Sequence, residues 1–473
     1  MMLSPEAQSL AAILVAVIAL WVTESLPLPV TALLGAVACV VAGVAPAKEV
    51  FRPFADPVVF LFIGSFMLAE AVRVHRLDRR LAYGVLAVPW VGERPFRILA
   101  AVAAVTAGIS GFISNTATTA MMVAIVAGIV DAIEESGRRS GRRGADPGYA
   151  TGLLLCVAFA ASIGGLATPI GTPPNLIGLA FIRNELGIDV SFLAWCAIGV
   201  PVAALLTAVA VAVLAWTFPA GVERLEGVSQ LVAGERSRLG AWTVGQWSTA
   251  VAFGTTVALW LLPGVCAVVL GQRSPLCGWL AARIPEGVAA LVGAILLFLL
   301  PGDAVPDGES RPRALTWRDA SRIDWGIILL YGGGMALGEL AFSTGLAAAV
   351  GRGITGWLPA GSGGASLVAA AAIVAVITSE FTSNTASANM VVPVVIALAE
   401  AAGGNPLGAA LAATFAASLG FMMPVSTPCN AIVYGTGRVP LRAMMRGGVI
   451  LDVVGAVVIA VVMIGVGRVW KGV

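Results

Sequence analysis

The chain is short of charge. Only 11% of its 473 residues are Asp, Glu, Lys or Arg, against 59% hydrophobic, and the mean hydropathy is +0.94; ordinary soluble domains carry about one-quarter charged residues. A soluble fold is excluded. There is one histidine, His75, and the six cysteines (Cys39, Cys156, Cys196, Cys266, Cys277, Cys429) have neither C-x-x-C nor metal-site spacing. They read as packing residues. An intramembrane enzyme would need a buried nucleophile–base pair or a metal cluster, and one histidine supplies neither. The formal net charge is +2 and the only dense basic run is Arg138–Arg143, which argues against a nucleic-acid partner. The first apolar stretch, Leu10–Val22, lacks the basic flank and small-residue cleavage site of a secretory signal.

What the chain has instead is a succession of apolar runs. A helical crossing needs about 20 residues, because unpaired backbone cannot face hydrocarbon. Spans are expected near 10–24, 29–45, 57–74, 150–182, 191–217, 247–270, 286–301, 325–349, 405–434 and 445–468. Two further stretches, 98–131 and 365–401, are each broken by a polar triplet and read as re-entrant hairpins. The expected fold is an all-α polytopic protein embedded in the lipid bilayer, with about ten transmembrane helices plus two re-entrant helical hairpins. On this topology 20 of the 28 Lys and Arg fall in 73–97, 138–143, 218–245, 302–324 and 438–446, which are therefore cytoplasmic. Both termini are then extracytoplasmic, the first hairpin opens from the cytoplasm and the second from outside. The cell inner membrane is the expected location.

Opposite hairpins suggest an inverted repeat, and three matches support one. Asp56–Met67 resembles Asp324–Met335, Ser114-Asn115-Thr116 recurs as Ser383-Asn384-Thr385, and Gly171-Thr172-Pro173-Pro174-Asn175 is echoed by Ser426-Thr427-Pro428-Cys429-Asn430. The order is the same in both halves, and five crossings per half turn the second copy over. The expected divisions are a first repeat over 1–220, a polar linker over 221–245 and a second repeat over 246–473.

Three adjacent polar side chains at membrane depth cost several kcal/mol unless satisfied. Hydroxyl and amide oxygens suit a hard cation, and the amide and hydroxyl hydrogens suit an anion. The N-terminus of a hairpin's second arm favours a carboxylate or sulfate oxygen. Each Thr-Pro element interrupts its helix and frees carbonyls for sodium. No Arg or Lys falls inside these motifs, so bound cations and helix ends must offset the substrate's charge. Glu70, Glu339 and Glu380 are the main intramembrane acids and are expected to be structural. His75 is expected to be solvated in an Arg-rich cytoplasmic loop. With no acid in the duplicated motifs, sodium fits better than a proton; an anion exchanger or proton-coupled carrier of the same architecture is the alternative.

The segments SGFISNTATTAMM (110–122), SIGGLATPIGTPPN (162–175), SEFTSNTASANMVVP (379–393) and MMPVSTPCNAIVYGTG (422–437) resemble the divalent-anion/sodium symporter family, the sodium-coupled dicarboxylate, citrate and sulfate transporters. The resemblance implies import of a C4-dicarboxylate such as succinate with Na+, by a homodimer whose transport domain moves like an elevator. It further implies one sodium site at Ser110, Ser114, Asn115 and the Gly171 carbonyl, and a second at Ser379, Thr382, Asn384 and Ser426. The dianion would contact Asn115, Thr116, Thr172, Asn384, Thr385 and Thr427, with Pro173 and Pro428 shaping the pocket. The chain departs from the family pattern in starting almost directly with the segment Trp21–Leu33 and in having Cys429 where a second proline is usual.

Overall fold

A computed structural model of the chain describes residues 3–140, 145–271, 273–303, 312–355 and 364–469. Among these every regular element is helical. The first half runs α1 (Pro5–Thr23), α2 (Leu28–Val41), α3 (Ala47–Val50), α4 (Pro57–Val74), α5 (Leu77–Leu86), α6 (Pro95–Ser110), α7 (Asn115–Ser140), α8 (Pro147–Gly164), α9 (Pro173–Leu186) and α10 (Phe192–Thr217). After α11 (Val228–Arg238) come α12 (Val244–Leu270), α13 (Pro275–Arg283), α14 (Glu286–Leu299), α15 (Trp317–Ala320), α16 (Trp325–Ser343) and α17 (Leu346–Thr355). The chain ends with α18 (Ala365–Phe381), α19 (Asn384–Ala401), α20 (Pro406–Ala416), α21 (Pro428–Gly435) and α22 (Leu441–Val469).

The two halves start their repeated segments with the same device. Asp56 caps α4 by accepting from the Val58 amide at 2.8 Å, and Asp324 caps α16 by accepting from Ile327 at 3.3 Å. Such a cap contributes about 1 kcal/mol and fixes where the helix begins. Among the described residues eight helices (α1, α4, α7, α10, α12, α16, α19 and α22) are individually long and apolar enough to cross, and α13 with α14, bent by 62°, gives a ninth. The ten expected crossings are a different set: they count the shorter α2 and the broken pairs α8–α9 and α20–α21, and leave out α7 and α19, which they assign to the two hairpins.

Small residues bring the helices close. A Cβ on Gly64 would lie 2.6 Å from the Ala290 carbonyl carbon, and one on Gly333 would lie 2.7 Å from the Ala32 carbonyl oxygen. Thus α4 meets α14, and α2 meets α16, backbone to backbone, as membrane interfaces favour.

The Arg-rich segments converge at one end. Arg80 donates to the carbonyls of Leu239, Gly240 and Ala241 at 2.7, 3.1 and 3.0 Å. His75, at the end of α4, is buried rather than solvated: its Nδ1 lies 2.9 Å from Asp303 Oδ2 and its Nε2 lies 2.7 Å from the Ala314 carbonyl. The segments around Asp303 and Ala314 close over the ring, a long-range contact with no local signature. Burial alone would raise the Asp303 carboxyl, but the Gly245 amide, the His75 ring and the Thr243 hydroxyl outweigh it and hold it below the usual carboxylate range. The 221–245 stretch is likewise partly ordered, with Val228 and Val232 of α11 buried where that helix packs on α5 and α7. Arg142, Arg143, Arg311 and Lys471 lie outside the described residues. At the opposite end Arg183 pairs with Asp56, and Arg52 with Glu339, each at 2.8 Å. Arg52, Asp56 and Glu339 border an open cavity of about 890 Å³.

Candidate ion and substrate site

Both polar triplets sit at hairpin turns. α6 stops at Ser110 and α7 begins at Asn115; α18 stops at Phe381 and α19 begins at Asn384. Ser383 caps α19, its Oγ accepting from the Ala386 amide at 3.2 Å. Ahead of each turn a serine repeats the same geometry. Ser110 Oγ lies 2.7 Å from both Asn115 Oδ1 and the Ala161 carbonyl, and Ser379 Oγ lies 2.8 Å from both Asn384 Oδ1 and the Ala417 carbonyl. A hydroxyl has one hydrogen, so it satisfies one of two acceptors at a time. With a side-chain amide oxygen facing the serine, each spot has more oxygens than protons, a set of donors that could hold a hard cation.

At the first turn the outcome depends on which way the Asn115 amide faces. With its nitrogen turned inward, its two hydrogens can donate to any two of the Ala161 carbonyl at 3.1 Å, the Gly171 carbonyl at 3.3 Å and Ser110 Oγ at 2.7 Å. With its oxygen turned inward, the same spot is lined only by oxygens of Ser110, Asn115, Ala161 and Gly171. The two orientations of the amide thus differ in whether the cluster satisfies itself or presents four oxygens.

The broken helices close the site from the other side. Thr172 and Thr427 are extended (φ −148° and −143°) immediately before Pro173 and Pro428, which open α9 and α21. The unwound segments before them do not leave all their carbonyls free. Asn175 Nδ2 donates to Gly165 and Thr168 at 2.8 Å, and Asn430 Nδ2 donates to Gly420 and Met423 at 2.9 Å. Neither asparagine is among the expected ligands; their signal was an Asn at the end of both Thr-Pro elements. Ser426 Oγ joins the second arrangement, donating toward Gly420 O at 2.7 Å and Met423 O at 2.8 Å. Glycines make the approach possible: a Cβ on Gly165 would stand 2.6 Å from Asn115 Oδ1, and one on Gly420 would stand 3.1 Å from Ser379 Oγ.

Ser110, Asn115 and Gly171 therefore meet in the first half, and Ser379, Asn384 and Ser426 surround one break in the second. Thr382 is buried but its hydroxyl donates to its own helix at Thr378 O, 2.8 Å away. Ser114, Thr116 and Pro428 are exposed, Pro173 and Thr385 are half-buried, and Thr172 and Thr427 are buried. The halves also interlock: α7 packs on α21, and α19 packs on α9.

The two breaks are braced differently. In the second, the Glu380 carboxylate accepts from the amides of Met422 and Met423 at 2.9 and 3.1 Å, and Asp452 accepts from Phe421 at 3.3 Å. Three successive amides of the unwound segment are thereby held from outside. In the first, Gly111 stands where the second triplet's hairpin has Glu380, and its carbonyl accepts from the Thr168 hydroxyl instead. Glu70 and Glu339 are engaged too, with Arg73 and with Arg52 and Asn184. Asp452 was not singled out by the sequence.

A family model described as the sodium:sulfate symporter transmembrane region matches residues 1–472. The sodium-dependent dicarboxylate transporter SdcS of Staphylococcus saprophyticus is 30% identical over 448 residues, covering 93% of this chain and 82% of that protein. Its counterpart in Staphylococcus aureus is 28% identical over 451 residues with the same coverage. Among solved structures, the Alcanivorax borkumensis YdaH transporter aligns with a TM-score of 0.52 at 14% identity, covering 89% of this chain and 86% of that one. Neisseria gonorrhoeae MtrF aligns with 0.55 at 13% identity, covering 89% and 82%. These last two are alike in fold.

Proposed function

This chain belongs to the sodium:sulfate symporter family, and we propose that it is a sodium-coupled importer of a small dianion, with succinate as the probe substrate of choice. The observation that supports this most is the pair of serine-centred oxygen clusters, at Ser110–Asn115 and Ser379–Asn384, each beside a broken helix. Sodium ions held there lend positive charge to a site whose motifs contain no Arg or Lys, so the anion binds well only after the cations. Asn115, Thr116, Thr172, Asn384, Thr385 and Thr427 would contact the carboxylates, Pro173 and Pro428 would shape the pocket, and the opening amides of α7, α9, α19 and α21 would face them. The SdcS proteins are named as sodium-dependent dicarboxylate transporters, which supports both the ion and the substrate class.

The matching order of elements in the two halves supports an inverted repeat over 1–220 and 246–473, in which hairpins and broken helices move together as an elevator against a fixed scaffold. A homodimer in the cell inner membrane completes the reading. The test is uptake of labelled succinate by proteoliposomes under an inward sodium gradient, with choline or potassium as replacements and malate, citrate and sulfate as competitors. Uptake that collapses without sodium supports the symporter. Uptake that ignores sodium but requires dicarboxylate inside the vesicle would make the protein an exchanger.

A further inference from the structure

Two cysteines that look unremarkable in sequence meet at an elbow of the fold. Cys266 lies just before the last turn of α12 and Cys277 near the start of α13, and their sulfur atoms are 2.7 Å apart. That is closer than two unbonded sulfurs comfortably approach. Both are buried, and with Leu280 they form a small cluster separate from the main apolar core. The elbow thus has few apolar contacts of its own to hold it.

The side of the membrane follows from the chain's path. α12 starts beside His75, Arg80 and Asp303, where the Arg-rich segments gather, and its 27 residues span about 40 Å at helical rise. Its far end therefore lies on the Arg-poor, extracytoplasmic side. Leu276 and Trp279 of α13 are exposed there, as suits a helix lying at the lipid–water interface.

From this juxtaposition we propose that Cys266 and Cys277 are a disulfide-forming pair that staples α13 to α12 on the extracytoplasmic face. Two S–H bonds break and one S–S bond forms. The two electrons and two protons pass to an oxidised extracytoplasmic thiol–disulfide oxidoreductase, whose own disulfide becomes a dithiol. Such compartments keep disulfides. The link closes a loop between residues 11 positions apart, which restrains the unfolded chain and fixes the arm leading into α14, the helix that packs on α4. It does not depend on which anion or ion the protein carries.

The test uses the full-length protein, isolated from membranes with a thiol-blocking reagent present from lysis onward. Arg273 lies between the two cysteines, so trypsin cuts the loop. A peptide beginning at Ser274 joined through sulfur to the one ending at Arg273, two hydrogens lighter than their sum and separated by reductant, is the expected result. Full blocking of both thiols would overturn the proposal. Reductant should lower the apparent melting temperature of the wild-type protein by several degrees and leave a Cys266→Ser/Cys277→Ser double variant unmoved. A linked peptide without that shift would overturn the stapling role.

Discussion

On the proposed reading, single side chains decide whether an oxygen cluster holds an ion. Asn115 and Asn384 each sit five residues after a serine and share an acceptor-rich spot with it, so each amide oxygen can replace part of sodium's hydration shell. Asn115→Ala and Asn384→Ala should each raise the sodium concentration for half-maximal transport by about tenfold, equivalent to about 1.4 kcal/mol. Measuring succinate uptake against sodium concentration checks this, and a variant with an unchanged sodium curve would remove its cluster from the account. The asparagines were legible because their triplets interrupt apolar runs twice. Asn175 and Asn430, which tie down the unwound carbonyls, were passed over because one polar residue at the start of a helix has many ordinary reasons to be there.

At the scale of elements, a broken helix needs something to hold its loosened backbone. Around α20–α21 that task falls to Glu380 and Asp452, on α18 and α22, which together hold the amides of residues 421–423. Glu380→Ala would leave two amides unsatisfied at about 1–3 kcal/mol each. The variant should melt several degrees lower, and Glu380→Gln, which keeps an acceptor, should recover part of the loss in the same thermal measurement; equal melting of wild type and both variants would show that the brace is dispensable. Sequence placed the breaks themselves well, since Thr-Pro repeats at matching positions. It could not reveal the brace, because Asp452 lies far from Glu380 in the chain and only packing of α22 on α18 brings them together.

For the whole molecule, apolar runs and Arg distribution made the polytopic helical fold readable, and the motif order made the family readable. Long-range closure was not: His75 looked solvated among arginines until the segments at Asp303 and Ala314 covered it, and the packing of α7 on α21 and α19 on α9 has no sequence signal. The central proposal is that sodium and the dianion are bound as partners at the hairpin turns and broken helices that this interlocking brings together. Coupling of this kind is reciprocal. The decisive measurement is equilibrium binding of succinate to the purified protein as sodium is raised from about 1 to 100 mM at constant ionic strength with choline, and of sodium dependence with and without succinate. Succinate affinity that rises at least about tenfold, with a matching rise in sodium affinity when succinate is present, is the predicted result. Succinate affinity that stays the same across the sodium range would contradict the account.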